Sequence, residues 1–132
     1  MFKNLVFCFH ILLLSYGLTG QERYSALSFD EINTETYTYS TKDGENLKLD
    51  IYLPQYDSET ERATIIYVHG GGFSSGKRDS EDIKEFCCKM AGYGYVVAAI
   101  SYRLTRKDKP GAFGCDCPAN EKLNTFQAAV ED

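Results

Sequence analysis

The sequence predicts an α/β fold in which an antiparallel hairpin is followed by a βαβ unit and an unfinished helix, and three patterns support that prediction. Residues 47–53 alternate strictly between apolar and polar side chains, which is the period of a half-buried strand. Residues 63–68 and 95–100 are nearly continuous runs of apolar and β-branched residues, which suit strands covered on both faces. Between these runs, residues 79–91 carry apolar side chains at helical spacing. Strand, helix and strand in this order predict a right-handed βαβ unit.

A β-hairpin is predicted ahead of this unit. Residues 34–40 are rich in Thr and Tyr, as strands are. Asp43 and Gly44 supply a turn into the alternating strand, and Pro54 ends that strand. The strand should bury its Leu and Ile side chains and expose the Lys, Asp and Tyr side chains between them.

The helix of the βαβ unit has predicted caps at both ends. Asp79 or Ser80 can cap its start, and Gly92 stands where a left-handed C-cap is expected. One apolar stripe should face the sheet, formed by Ile83, Phe86, Cys87, Met90 and Ala91.

A second helix is predicted at the end of the chain. It starts at Asn120 or Glu121, follows a loop over residues 103–118, and carries Leu123, Phe126 and Val130 on one side. A hairpin, a βαβ unit and a helix that ends without a C-cap predict the front of an α/β sheet that continues further. Residues 34–132 are therefore expected to form a partial domain, and residues 21–33 a leader into it.

The first twenty residues are expected to be a secretory signal peptide. Lys3 forms a short basic region, Leu5–Leu14 an apolar run, and Ser15–Gly20 a small and polar segment. The run is shorter than the roughly 20 apolar residues of a membrane span, although a membrane anchor is the alternative. Cleavage after Gly20 is expected, with Gly17 as the second choice. The mature chain is then secreted or periplasmic and has no membrane partner.

Charge and length limit the function further. A chain of 132 residues allows one domain, and its formal net charge is −5. No basic stripe is present to neutralise phosphates, which argues against a nucleic-acid partner.

Four cysteines remain once the predicted signal peptide is removed, namely Cys87, Cys88, Cys115 and Cys117. An even number in an exported chain suggests disulfides. Neighbours so close in sequence do not readily pair with each other, so a bridge from the helix pair to the loop pair is expected. Plain buried thiols remain the alternative. A zinc site is disfavoured, because the spacings differ from C-x-x-C and His69 is the one histidine left.

The segment after the first buried strand carries the clearest chemical signal, His69-Gly70-Gly71-Gly72-Phe73. Consecutive glycines let the backbone turn sharply and bring its N–H groups close to a ligand. Such donors stabilise the negative charge of the tetrahedral intermediate in ester hydrolysis.

Several motifs together give a family resemblance. The chain resembles the N-terminal part of α/β-hydrolase carboxylesterases and lipases, the group with hormone-sensitive-lipase-like and feruloyl or acetyl esterase-like members. The similarity covers about residues 35–132. It is carried by Tyr67–Phe73, Gly76, Ser101–Leu104 and Ala128–Asp132.

The resemblance implies a role for each residue of the loop. Gly71 and Gly72 would offer N–H groups to the oxyanion, and Gly70 would make the turn possible. His69 would orient the loop, and Phe73 would line the acyl pocket.

The resemblance also implies what the chain lacks. The serine nucleophile, the acid and the base would lie beyond Asp132, whereas Arg103 would be structural, holding its loop through a carboxylate. The whole protein would hydrolyse a small-molecule ester without a cofactor, and this chain would be an inactive fragment. A non-catalytic remnant or binding module of the same fold is the alternative. Without the strand that would carry the nucleophile, residues 63–68 would show an unpaired apolar edge, which favours aggregation.

Three other motifs are interpreted as coincidental. Gly72–Gly76 matches G-x-S-x-G, but Ser74 does not directly follow a strand and has no later histidine to activate it. Gly71–Arg78 nearly matches a phosphate-binding P-loop, which leaves a nucleotide binder as a minor alternative. The acidic groups at Asp43 and at the start of the first helix suit a turn and a helix dipole better than a metal.

Overall fold

The computed structural model describes residues 23–109 and 117–132. Within these ranges the chain forms a four-stranded mixed sheet and two helices, in the order β1 (Ile32–Lys42), β2 (Glu45–Pro54), β3 (Thr64–Val68), α1 (Glu81–Gly92), β4 (Val96–Ile100) and α2 (Ala119–Glu131). The strand order in the sheet is β1-β2-β4-β3. The α/β class is therefore confirmed. In the described part of the chain, no helix has the length and apolar character that a membrane crossing requires.

The predicted hairpin is confirmed. β1 and β2 pair antiparallel over their whole length. Asp43 and Gly44 connect them with φ angles of 51° and 79°. Two successive left-handed residues are typical of the tight turns whose twist matches that of a hairpin.

The βαβ unit is also confirmed. β3 and β4 run parallel, from Thr64 opposite Val96 to Val68 opposite Ile100. α1 packs on one face of the sheet, where a buried cluster forms the core. Its members are Tyr52, Ile83, Cys87, Ala91, Val97 and Ala99.

The predicted faces of β2 were wrong at Asp50 and Tyr52, although Leu47 is buried and Lys48 is exposed, as expected. The face that carries Asp50 and Tyr52 is covered, because Tyr52 packs in the core with Ile83 and Cys87 of α1. The positions expected to be exposed include Asp50 and Tyr52, which are buried, whereas Leu49 and Ile51 are half-buried. Asp50 is accommodated there because Thr36 donates a hydrogen bond to it at 2.6 Å and Arg78 forms an ion pair with it at 2.9 Å.

The predicted left-handed C-cap of α1 was wrong, because the left-handed glycine lies two residues later than expected. Gly92 is the last helical residue, and Gly94 adopts the left-handed conformation, with φ 94°. The N–H of Gly94 donates to the carbonyl of Ala91 at 2.8 Å, which closes the helix. Gly92 is needed for space instead, because an added Cβ would lie 2.6 Å from a methyl group of Leu27.

Two apolar surfaces remain uncovered. β3 is an edge strand, as expected, and Ile66 and Val68 are 67% and 57% exposed. The side of α2 that was predicted to be apolar is also exposed, at Leu123, Phe126 and Val130. α2 is held by the loop after β4, for example where the hydroxyls of Thr105 and Thr125 meet at 3.0 Å.

The disulfide prediction finds no support in the described residues. Cys87, Cys88 and Cys117 are free thiols, and Cys115 lies outside the described residues. Cys87 belongs to α1 and is fully buried in the core. Burial raises the pKa of its thiol to about 11, with smaller contributions from Cys88 and Asp50. Cys117 is buried at the start of α2, where its Sγ accepts a hydrogen bond from Arg106 at 2.9 Å. The predicted signal peptide also lies outside the described residues.

Candidate oxyanion loop

The loop that leaves β3 turns through a run of left-handed residues. The φ angles are 122° at Gly71, 57° at Gly72, 60° at Phe73 and 97° at Gly76. An added Cβ at Gly71 would overlap the carbonyl of Ser75, and this φ already disfavours other residues. The loop therefore requires glycine at several positions, as the sequence motif indicated.

Gly70 does not have the role that the resemblance implied. Its φ is not left-handed, and an added Cβ would meet no atom within 4 Å. The sharp turn therefore depends on Gly71, Gly72 and Gly76 instead. Gly70 lines a cavity, so a side chain there would reduce the space for a ligand without straining the backbone.

The backbone of the loop presents unused donors. The carbonyl of Gly71 accepts from the N–H groups of Ser74 and Ser75 at 3.1 and 3.2 Å. The N–H groups of Gly71 and Gly72 donate to no group in the described part of the chain, and both residues are exposed. Two neighbouring free N–H groups can stabilise a negatively charged oxygen.

His69 is fixed beneath this turn. It is 5% exposed and stacks on Tyr102, with ring centroids 4.4 Å apart. The Tyr102 hydroxyl donates to the carbonyl of His69 at 2.8 Å, and burial raises the pKa of Tyr102, which keeps the hydroxyl protonated. His69 Nδ1 lies 2.8 Å from the carbonyl of Gly70. These contacts hold the start of the loop, and the orienting role of His69 stays a prediction.

Phe73 lies at the wall of a cavity of about 440 Å³. Its ring meets Tyr102 edge to face at 5.6 Å, and its carbonyl accepts from the N–H of Arg106 at 2.9 Å. The cavity is mostly apolar and adjoins the loop. Its walls come from Tyr39, Val68, His69, Gly70, Gly72, Phe73, Ile100, Tyr102, Ala129 and Asp132.

Arg103 joins the loop after β4 to α2 and to the hairpin. Its Nε lies 2.6 Å from Asp132, its Nη1 2.6 Å from Asp43, and its Nη2 3.1 Å from Glu131. Hydrogen bonds with Glu131, then Asp132 and Asp43, raise the pKa of Arg103 above its usual range. The predicted structural role of Arg103 agrees with this geometry.

Arg78 fixes the other end of the loop, which sequence reasoning missed. Its Nε lies 2.9 Å from the carboxylate of Asp50, and its Nη1 donates to the Ser101 hydroxyl at 3.2 Å. Asp50 belongs to β2 and Ser101 follows β4, so Arg78 connects the loop to the middle of the sheet. The local sequence gives no signal for such long-range partners.

The coincidental motifs find no support in the described residues. The Ser74 hydroxyl donates to the carbonyl of Gly71 at 3.0 Å. A P-loop would continue directly into a helix, whereas α1 begins only at Glu81, after Arg78 has turned towards Asp50. No group of three His, Cys, Asp or Glu side chains suited to a metal occurs in the described ranges.

Comparison with known proteins identifies the family. The family model BD-FAE matches residues 49–120, which is more than half of the chain and includes the loop. The chain belongs to the BD-FAE family. This confirms the predicted relation to esterases of the α/β-hydrolase fold.

Individual relatives are similar over limited lengths. Ethyl acetate hydrolase of Pseudomonas putida is 39% identical over 67 residues, which are 49% of this chain and 20% of that protein. The apo form of esterase 2 of Thermogutta terrifontis is 34% identical over 53% of this chain and 26% of its own, with a TM-score of 0.47. Brefeldin A esterase, a bacterial homologue of human hormone-sensitive lipase, is 21% identical, and the match covers 85% of this chain and 32% of that protein, with a TM-score of 0.49. The chain thus spans about a fifth of the curated relative, and its family assignment rests on the BD-FAE match.

Proposed function

We propose that this chain provides the oxyanion-binding part of a carboxylic ester hydrolase that works by a serine mechanism. The observation that carries the proposal is the pair of free N–H groups at the neighbouring residues Gly71 and Gly72, of which Gly72 lines an apolar cavity. An ester carbonyl in that cavity would place its oxygen at these donors as negative charge develops. Loss of one such donor typically lowers the rate about 10²–10³-fold.

The remaining catalytic groups are proposed to come from residues outside this sequence. The mechanism requires a serine, a base and an acid. His10 and His69 are the two histidines of the sequence, and His69 is buried against Tyr102. His10 lies in the predicted signal peptide, which is proposed to be cleaved on export to the periplasm or the medium. Ser74 donates its proton to a carbonyl instead of facing a base.

The cavity and the relatives support a small ester as the proposed substrate. A mostly apolar cavity of about 440 Å³ suits the acyl group of a small ester, and Phe73 would contact that group. Ethyl acetate hydrolase, whose name states such a substrate, is a relative. A serine hydrolase requires no metal or organic cofactor.

Hydrolysis of p-nitrophenyl acetate tests the proposal in two proteins. The mature chain alone should release nitrophenol no faster than buffer does. A chimaera with residues 49–120 in place of the corresponding segment of Thermogutta terrifontis esterase 2 should hydrolyse the ester. Activity of the chain alone that Ser74→Ala abolishes would refute the assigned roles. A folded but inactive chimaera would favour a binding module of the same fold.

A further inference from the structure

A second cavity lies apart from the cavity beside the oxyanion loop, although Arg78, which fixes one end of that loop, contributes to its lining. Its volume is about 420 Å³, and it opens between the hairpin and α1. Thr34, Thr36, Asp50 and Tyr52 of the hairpin form one wall, and Lys84 of α1 forms part of the other. It shares no lining residue with the cavity beside the oxyanion loop. A ligand bound here would therefore not compete with an ester.

Tyr52 contributes an unused polar group to this cavity. The residue is 2% exposed, and its ring belongs to the core beneath α1. Its hydroxyl forms no hydrogen bond with any described residue, and it is not among the polar atoms closed off from solvent, so it is accessible from the cavity. Burial, followed by the nearby Cys87 and Asp50, raises its pKa to about 12, so the hydroxyl remains a neutral donor.

The charges around the cavity balance. Arg78 and Lys84 contribute two positive charges, and Asp50 and Asp79 contribute two negative charges. Asp50 already accepts from Thr36 and pairs with Arg78. A small anion would therefore be repelled by the carboxylates of the cavity, and a small cation by Arg78 and Lys84. A ligand without net charge avoids this repulsion.

The hydrogen-bonding groups of the walls favour hydroxyl ligands. Tyr52 and Lys84 can donate, whereas Asp50 and Thr36 retain lone pairs that can accept. A ligand hydroxyl donates and accepts at once, so adjacent hydroxyls can use both kinds of group. The volume lies within the roughly 300–1,000 Å³ of small-molecule sites.

We propose that the cavity between the hairpin and α1 binds a small uncharged polyol of monosaccharide size, with the Tyr52 hydroxyl donating to it. This site is separate from the ester site and does not depend on ester hydrolysis.

Cys88 provides the readout, because it is an exposed free thiol at the rim of this cavity. Cys87 and Cys117 are buried. The rate at which iodoacetamide alkylates Cys88 in the mature chain is measured by peptide mass spectrometry, with D-glucose as the probe. A ligand at about ten times its Kd should slow the reaction about tenfold. Acetate, phosphate and ammonium at equal ionic strength should leave the rate unchanged.

Two variants test the assigned donor. Tyr52→Phe removes only a hydroxyl without a protein partner, so the fold should persist while the protection of Cys88 is lost. Tyr56→Phe is the matched control, because Tyr56 is 87% exposed and outside the cavity. Thr34→Val removes a hydroxyl from the same hairpin wall, at the β1 position paired with Tyr52, and should weaken protection if Tyr52→Phe does not fold.

Three results would overturn the proposal. They are no protection by glucose, protection by an anion instead, or equal protection in Tyr52→Phe and the native chain. Glucose-dependent shifts of the backbone amides in a Cys88→Ser variant provide a second measurement without alkylation. Because no ester takes part, failure here would leave the proposed hydrolase function untouched.

Discussion

The substitutions Gly71→Ala and Gly70→Ala test two neighbouring glycines that are equivalent in the sequence motif but differ in the structure. At Gly71 the backbone has φ 122°, and an added Cβ would lie well inside the 3.0 Å that real Cβ contacts respect. Strain at such a residue is of order 1–3 kcal/mol. Relief requires the Gly71 or Ser75 peptide to move by an ångström or more. That movement would break the hydrogen bonds from Ser74 and Ser75, each worth about 0.5–1.5 kcal/mol.

The expected destabilisation by Gly71→Ala is therefore about 2–6 kcal/mol. Gly70→Ala meets no atom within 4 Å and should change stability by less than about 0.5 kcal/mol. Urea unfolding followed by circular dichroism measures both values. In the active chimaera, Gly71→Ala should lower kcat, whereas Gly70→Ala should mainly raise KM because the added methyl group enters the cavity. Equal stability of the two variants would refute the loop geometry.

Three further predictions concern other parts of the fold. Arg103→Lys should speed hydrogen exchange across α2, because an ammonium group cannot hold several carboxylates at once; unchanged exchange would exclude an anchoring role. Burial alone would raise the pKa of Asp57, but hydrogen bonds from Arg23 and the Glu59 N–H and the nearby charges lower it below its ordinary value. The contribution of ionised Asp57 to stability is therefore present above the pKa of the unfolded state and is lost as the pH falls through the pKa of the folded state. Asp57→Asn should consequently lose less Tm than the native chain between about pH 6 and about pH 3. Ile66→Lys on the open edge of β3 should raise the monomer fraction in sedimentation velocity, because charged edge residues block strand pairing; an unchanged fraction would place self-association elsewhere.

The parts of the fold that the sequence predicted correctly depend on neighbours in the chain. The turn at Asp43 and Gly44 and the βαβ order both follow from local backbone preferences and from periodicity. The oxyanion loop was found for the same reason, because its glycines are consecutive and directly follow a buried strand.

The errors share a different physical origin. The buried face of β2 depends on the ion pair that Asp50 forms with Arg78, which comes from a remote loop. Gly92 was assigned to a cap because its contact with Leu27 is not visible in the local sequence. Likewise, the hold of Tyr102 on His69 has no sequence pattern of its own. Each of these features depends on long-range partners, which only the folded chain brings together.

The central claim is that the N–H groups of Gly71 and Gly72 bind the oxyanion. A crystal structure of the chimaera, trapped on its nucleophile by paraoxon, tests it most directly. The account predicts that the phosphoryl oxygen lies about 2.7–3.1 Å from the backbone nitrogens of both residues. A phosphoryl oxygen that points away from this loop, with its hydrogen bonds made by other groups, would contradict the account.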